Sequence, residues 1–305
     1  MAQSQMVAPI SELSGPAPQD GLASRVETSA STARVAQGVT RPAVVVTGAS
    51  DGIGLALARI FAKRGHWVVL VARDEQRLGE AVASVGHAAA DGPQAIGIAL
   101  DVTRDDAHAV LTDRLVALGL HVDVLVNNAG VGLGGDFASQ SMEDLDRLVA
   151  LNVASLTRMT RAAVADMRRR GHGTIINMAS LGGYVPGPQQ AAYYASNAYV
   201  LSLSEAVAHE LRGSGLRVAV VAPGPVDTNF HAAMGADGAF YRLLLPSLSP
   251  DGVAASVYRG YRLGLRVIVP GITNRIMGIA LRVLPHTLTV PLTAWLLRPR
   301  GGGRQ

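Results

Sequence analysis

The sequence predicts an α/β fold in which helices cover both faces of a doubly wound parallel sheet. Three observations predict it. Short apolar, β-branched runs recur from Pro42 onward, as in strands buried on both faces. The stretches between them are long enough for crossover helices, and alternating strands and helices imply parallel pairing. The composition, 49% hydrophobic and 16% charged over 305 residues, can fill a core on each side of such a sheet and excludes wholesale disorder.

The strands are expected at Ala43–Thr47, Trp67–Ala72, Ala95–Leu100, Val122–Asn127, Thr174–Met178, Leu216–Ala222 and Arg266–Val269. Helices are expected between them at Leu55–Arg64, Glu75–Val85, Ala107–Leu118, Met142–Arg169 and Ala191–Arg212. A sheet of this kind takes its ligand beyond the carboxyl ends of the strands, where the strand order switches. Residues 225–250 break the alternation with Gly, Pro and mixed apolar residues and read as a lid or substrate loop. Ser249-Pro250-Asp251 then starts a helix with a cap hydroxyl, a first-turn proline and an acid.

Residues 1–40 carry no apolar periodicity and read as a disordered leader. No basic segment followed by an apolar one marks a secretory signal, and Glu12, Asp20 and Glu27 argue against an acid-poor transit peptide. Cysteine is absent. That excludes a disulfide framework, a Cys-bound zinc or iron–sulfur cluster and a Cys nucleophile, and fits a cytoplasmic home. No metal is expected. The net charge is +4, and Lys63 is the only lysine among 27 basic residues. Apart from Arg168-Arg169-Arg170 the basic residues are scattered, and only 4% of the chain is aromatic. The charged stripe and stacking platform of a nucleic-acid binder are missing.

The first strand runs into Gly48-Ala49-Ser50-Asp51-Gly52-Ile53-Gly54 and then a helix. Glycines there allow the sharp turn and let backbone N–H groups approach a pyrophosphate seated on the helix terminus. The Lys-Ser/Thr ending of a nucleoside-triphosphate loop is lacking. This stretch, with Asn127-Asn128-Ala129-Gly130, Asp101-Val102, Asn152, Ser180, Tyr193 and Pro223-Gly224-Pro225-Val226-Asp227-Thr228 in order, resembles the short-chain dehydrogenase/reductase family over about residues 42–270. The resemblance implies a Rossmann sheet of about seven strands with a nicotinamide dinucleotide at the strand ends. It further implies that Asn128, Ala129 and Gly130 lie along the cofactor. On the same grounds Asp101, beside Val102, holds the adenine, and Pro223, Gly224, Val226 and Thr228 border the nicotinamide. The second strand ends Val71-Ala72-Arg73, and a guanidinium there suits a 2′-phosphate whereas a carboxylate would repel it. NADP(H) is therefore preferred to NAD. Asp74 is read as a cap of the next helix.

Hydride transfer to a carbonyl leaves an alkoxide that needs a proton, which a Tyr hydroxyl can donate while a Ser hydroxyl polarises the oxygen. Ser180 precedes Tyr193 by 13 positions, the family's spacing, and Tyr194 is the neighbouring decoy. The family's Tyr-x-x-x-Lys reads Tyr193-Tyr194-Ala195-Ser196-Asn197. Asn197 shares a helix face with Tyr193 and can bond a ribose hydroxyl, but it carries no charge to lower the phenol's pKa. Asn152 resembles a family Asn in a distorted helical turn that holds a water on a proton relay. Three accounts stay open: a slowed or Arg-rescued reductase, a non-redox enzyme using the same pocket (proton transfer, elimination or cyclisation), and a non-catalytic nucleotide-binding or interaction protein.

Residues 276–297 are strongly apolar, but Arg282, Pro285, His286 and Pro291 interrupt them. They read as two short amphipathic helices covering the cleft, forming a subunit contact or lying on a bilayer surface. The expected organisation is a leader (1–40), a dinucleotide-binding and catalytic domain (41–272) and a hydrophobic helical extension (273–305). The expected substrate is a lipophilic ketone or secondary alcohol, and the resemblance implies a homodimer or homotetramer.

Overall fold

The computed structural model describes residues 40–86, 95–230, 234 and 246–298. The expected leader up to residue 39, most of the expected lid and the last seven residues lie outside the described residues. Seven parallel strands form one sheet: β1 (Arg41–Thr47), β2 (Trp67–Ala72), β3 (Ala95–Ala99), β4 (Leu120–Asn127), β5 (Gly173–Met178), β6 (Leu216–Val221) and β7 (Val267–Ile268), in the order β3-β2-β1-β4-β5-β6-β7. The chain steps outward from β1 to β3, then returns to β4 on the other side of β1, so the switch in strand order lies between β1 and β4. There the crossover helices leave in opposite directions and open a crevice.

Period-two alternation explains why both faces are covered. Val44 and Val46 face one layer with Leu57 and Phe61 of α1 (Gly52–Lys63), Leu78 and Val85 of α2 (Glu75–Gly86), and Val257 of a later helix, Pro250–Arg262. Ala43 and Val45 face the other layer, with Leu111 and Leu115 of α3 (Ala107–Ala117) and Met159 and Met167 of helix Leu156–Arg170.

The single helix expected at Met142–Arg169 is in fact α4 (Met142–Val149), a wide π-helical turn at Ala150–Ser155 and α5 (Leu156–Arg170). The extra residue in such a turn shifts side-chain phase, and Asn152 uses that shift to bond the loop after β4. Next come α6 (Ala191–Glu210) and α7 (Pro250–Arg262), whose cap Ser249 accepts a hydrogen bond from Gly252 N at 3.1 Å, as expected. Two short helices close the described chain, α8 (Ile272–Val283) and α9 (His286–Leu296). They match the two short helices expected there, joined into a hairpin at Leu284-Pro285, but α8 starts earlier than the apolar run suggests, because Gly271 (φ 83°) supplies the turn into it. No helix among the described residues is long and apolar enough to cross a membrane.

Candidate active site

The glycine turn leaving β1 is shaped by what it lacks. Gly48 has φ 63° and Gly52 φ 54°, both left-handed. A Cβ on Gly48 would come within 2.8 Å of the Ala129 Cα, and one on Gly54 would strike the Gly48 carbonyl and the Asn128 amide. Asn128 occupies that space. Its Nδ2 donates to the carbonyls of Thr47 (3.0 Å) and Gly48 (3.1 Å), and its own N–H donates to Thr47 Oγ1 (3.0 Å). The end of β4 thus braces the turn leaving β1. Asp51 caps α1 through Gly52 N at 2.6 Å and pairs with Arg77 at 3.1 Å.

Above these strand ends lies a cavity of about 1090 Å³, lined from the loop residues Gly48, Ser50, Asp51, Gly52 and Ile53 to Ser180, Tyr193 and Asn197. Arg73, Asp101, Val102, Asn128, Ala129, Gly130, Asn152, Pro223, Gly224, Val226 and Thr228 also face it. Of the residues assigned from sequence to the cofactor or to catalysis, Gly54 alone does not face the cavity. It packs behind the loop, where its missing side chain permits close approach, so it shapes the site without facing a ligand. At the end of the cavity beside β2 a second guanidinium, Arg77, joins Arg73, and Asp74 caps α2 by accepting from Arg77 N at 3.0 Å. Burial pushes the Asp101 carboxyl up. Two Thr103 hydrogen bonds, with Arg73 and Arg104 nearby, outweigh burial and hold it below its ordinary value.

At the other end, Tyr193 lies in the first turn of α6, under the ring of Phe230 with centroids 5.6 Å apart. Burial raises its phenol above the ordinary value, and hydrogen bonding from the Ser180 and Asn197 side chains pulls the other way. Ser180 is held by its own turn, its Oγ accepting from Gly182 N at 3.1 Å. Asn197 is buried and donates from Nδ2 to the Tyr193 carbonyl at 2.8 Å. Among the described residues, Arg73 and Arg77 are the only Lys, Arg or His side chains lining the cavity, and Lys63 is exposed at the end of α1. No described cation stands in for the family's lysine.

Asn152 clamps the back of the site. Its Oδ1 accepts from Val131 N (2.9 Å), and its Nδ2 donates to Val131 O (2.8 Å) and Ser196 Oγ (3.3 Å). Behind it a buried chain ties β4 and β5 to the helices: Asn127 Nδ2 donates to Asn177 Oδ1 (2.9 Å) and Thr160 Oγ1 (3.1 Å), and Asn177 Nδ2 donates to Ser204 Oγ (2.9 Å). Sequence reading missed this network. It gave the C-terminal helices a cover over the cleft as one of three roles, and the cavity's roof is indeed made by Met277, Leu281, Leu284, Leu292 and Leu296 of the α8–α9 hairpin, with Met234 and Phe230. The hairpin docks through Asn274, against which Gly224 is packed too closely for a Cβ, and through Gly278 beside Leu181 and Tyr184. From sequence Gly224 was expected only to border the nicotinamide and Gly278 was not singled out, so neither was expected to seat the hairpin.

The short-chain dehydrogenase family model matches residues 42–238. Over 188 residues the chain is 35% identical to the 2-(R)-hydroxypropyl-CoM dehydrogenase of Xanthobacter autotrophicus, the match covering 60% of this chain and 74% of that protein. A short-chain dehydrogenase from Sphingobium yanoikuyae, solved with NADPH, superposes with TM-score 0.69 at 33% identity, covering 79% of this chain and 92% of the other. A short-chain dehydrogenase/reductase from Burkholderia phymatum, solved with NAD, gives TM-score 0.72 at 26% identity over 86% and 99% of the two chains. The chain belongs to the short-chain dehydrogenase family of oxidoreductases.

Proposed function

We propose that this protein is an NADP(H)-dependent reductase that interconverts a bulky, apolar ketone and the corresponding secondary alcohol. The observation that carries this reading is one continuous cavity. It has a glycine turn and two guanidinium groups at one end, a Ser–Tyr pair in the middle and an apolar helical roof over the pair. The residues fit the dinucleotide: left-handed Gly48 and Gly52 expose the helix terminus to a diphosphate, and Arg73 with Arg77 suits a 2′-phosphate. When bound, NADP(H) supplies or accepts the hydride.

The chain's own residues manage the oxygen and its proton. Ser180 donates to the carbonyl oxygen, and Tyr193 donates the proton that turns the alkoxide into alcohol. A raised phenol pKa keeps Tyr193 protonated near neutrality. That suits the reducing direction, since oxidation needs the phenolate. The roof excludes water and selects apolar flanks on the substrate. The absence of a described cation beside Tyr193 favours, as a second reading, chemistry without hydride transfer.

Fluorescence titration of NADPH and NADH, with turnover of ketones flanked by apolar groups, tests both readings. The reductase reading expects NADPH to bind about tenfold or more tighter than NADH, as one charge-assisted phosphate contact implies, and to be oxidised only when ketone is present. Binding with no hydride transfer, in this protein and in Asn197→Lys alike, favours the second reading, and no binding defeats both.

A further inference from the structure

The α8–α9 hairpin has two apolar faces, and the cavity uses only one. Ile272, Ile276, Ile279 and Val283 follow one another at helical spacing on α8 and are 65% to 77% exposed. Leu288 (60%) and Trp295 (46%) continue the exposed apolar surface on α9. Leu284 and Leu292 belong to both surfaces, since each is substantially exposed and each lines the cavity. The rim between the outer face and the substrate roof is therefore itself apolar.

Charge says what covers this face. Asp251 is the last acidic residue of the chain, and the residues after it hold eight arginines and no Asp or Glu. The overall charge is only +4, so the residues before this stretch carry a net negative charge. Of the arginines on the hairpin, Arg282 pairs with Glu205 at 2.9 Å, whereas Arg275 and Arg298 are exposed beside the apolar stripe. An apolar stripe on a hairpin whose own charged residues are all arginine matches the acyl boundary and headgroups of an anionic bilayer better than a like-charged second copy of the same face.

We propose that the outer face of the α8–α9 hairpin lies on an anionic lipid surface. Ile276, Ile279 and Trp295 enter the headgroup–acyl boundary, and Arg275 and Arg298 meet the phosphates. On the reductase reading, and only there, the Leu284–Leu292 rim then faces the bilayer and admits apolar substrate directly from it. The docking itself does not depend on that reading.

Flotation with phosphatidylcholine vesicles, with and without phosphatidylglycerol, tests it on the full chain. The expected result is flotation with the anionic vesicles, weakened by salt, and little with neutral ones. Ile276→Asp/Ile279→Asp is expected to weaken binding about tenfold or more, with its melting temperature and NADPH affinity unchanged because both side chains point away from the core and the cavity. Failure of the unaltered protein to float overturns the proposal, as does equal flotation of the variant. So does light scattering that shows a non-floating dimer which the variant splits, because the face then joins two copies of the chain.

Discussion

Asn197 stands one helical turn after Tyr193, buried and bonded to the Tyr193 carbonyl, in a place where a lysine would put a full positive charge near the phenol. Burial raises the Tyr193 pKa, and an opposite charge nearby lowers an acid's pKa by about 1–3 units. Asn197→Lys is therefore expected to move the pH midpoint of alcohol oxidation down by about that much and to raise kcat/KM about 10- to 1,000-fold at neutral pH; a pH–rate profile of both proteins checks it. Tyr193→Phe is expected to abolish turnover while NADPH titrates as before. Arg73→Ala is expected to weaken NADPH about tenfold and leave NADH unchanged, since only the 2′-phosphate loses a contact. At this scale the sequence was highly legible. The family resemblance singled out Ser180, Tyr193 and Asn197 by their spacing, and the tertiary structure brought all three to one cavity. Arg77 and Phe230 escaped because nothing local marks them: one arrives by the pitch of α2, the other from the loop beyond β6.

Elements carry the precision of the site. The π-helical turn at Ala150–Ser155 rotates Asn152 onto Val131, and no propensity scale distinguishes that turn from plain helix, which is why one long helix was expected there. The glycines are better tests of packing. Gly54→Ala would drive a methyl against the Gly48 carbonyl and the Asn128 amide, overpacking worth about 1–3 kcal/mol; thermal unfolding and NADPH titration should both show the loss. Gly278→Val is expected to act on the roof alone. With Leu181 only 3.2 Å from the new Cβ, α8 must lift, so the ketone KM should rise several-fold while NADPH affinity holds. If both constants move together, α8 is not an independent roof.

Among the described residues of the whole molecule, burial lowers the pKa of three histidines, His66, His108 and His121, below the ordinary 6.5. Asp166 near His108 opposes burial there, and Arg170 reinforces it at His121. Between the folded and unfolded values the unfolded chain binds more protons, so stability rises with pH across that window and is lost as pH falls below about 6.5. Urea midpoints should drop between pH 7 and 5.5, and His108→Gln or His121→Gln should flatten the drop. Sequence by itself determined the βα alternation, the two-sided burial of the strands and the glycine turn after β1, because each is set by local periodicity or local backbone chemistry, whereas Ser180 and Tyr193, on different elements, were paired only by their resemblance to the family's motif. Tertiary structure alone decided which side chains roof the cavity, whether a distant cation rescues Tyr193, and that the closing helices keep an apolar face outward. Those outcomes depend on contacts between segments far apart in the chain, and the same apolar spacing serves equally for a buried face and an exposed one.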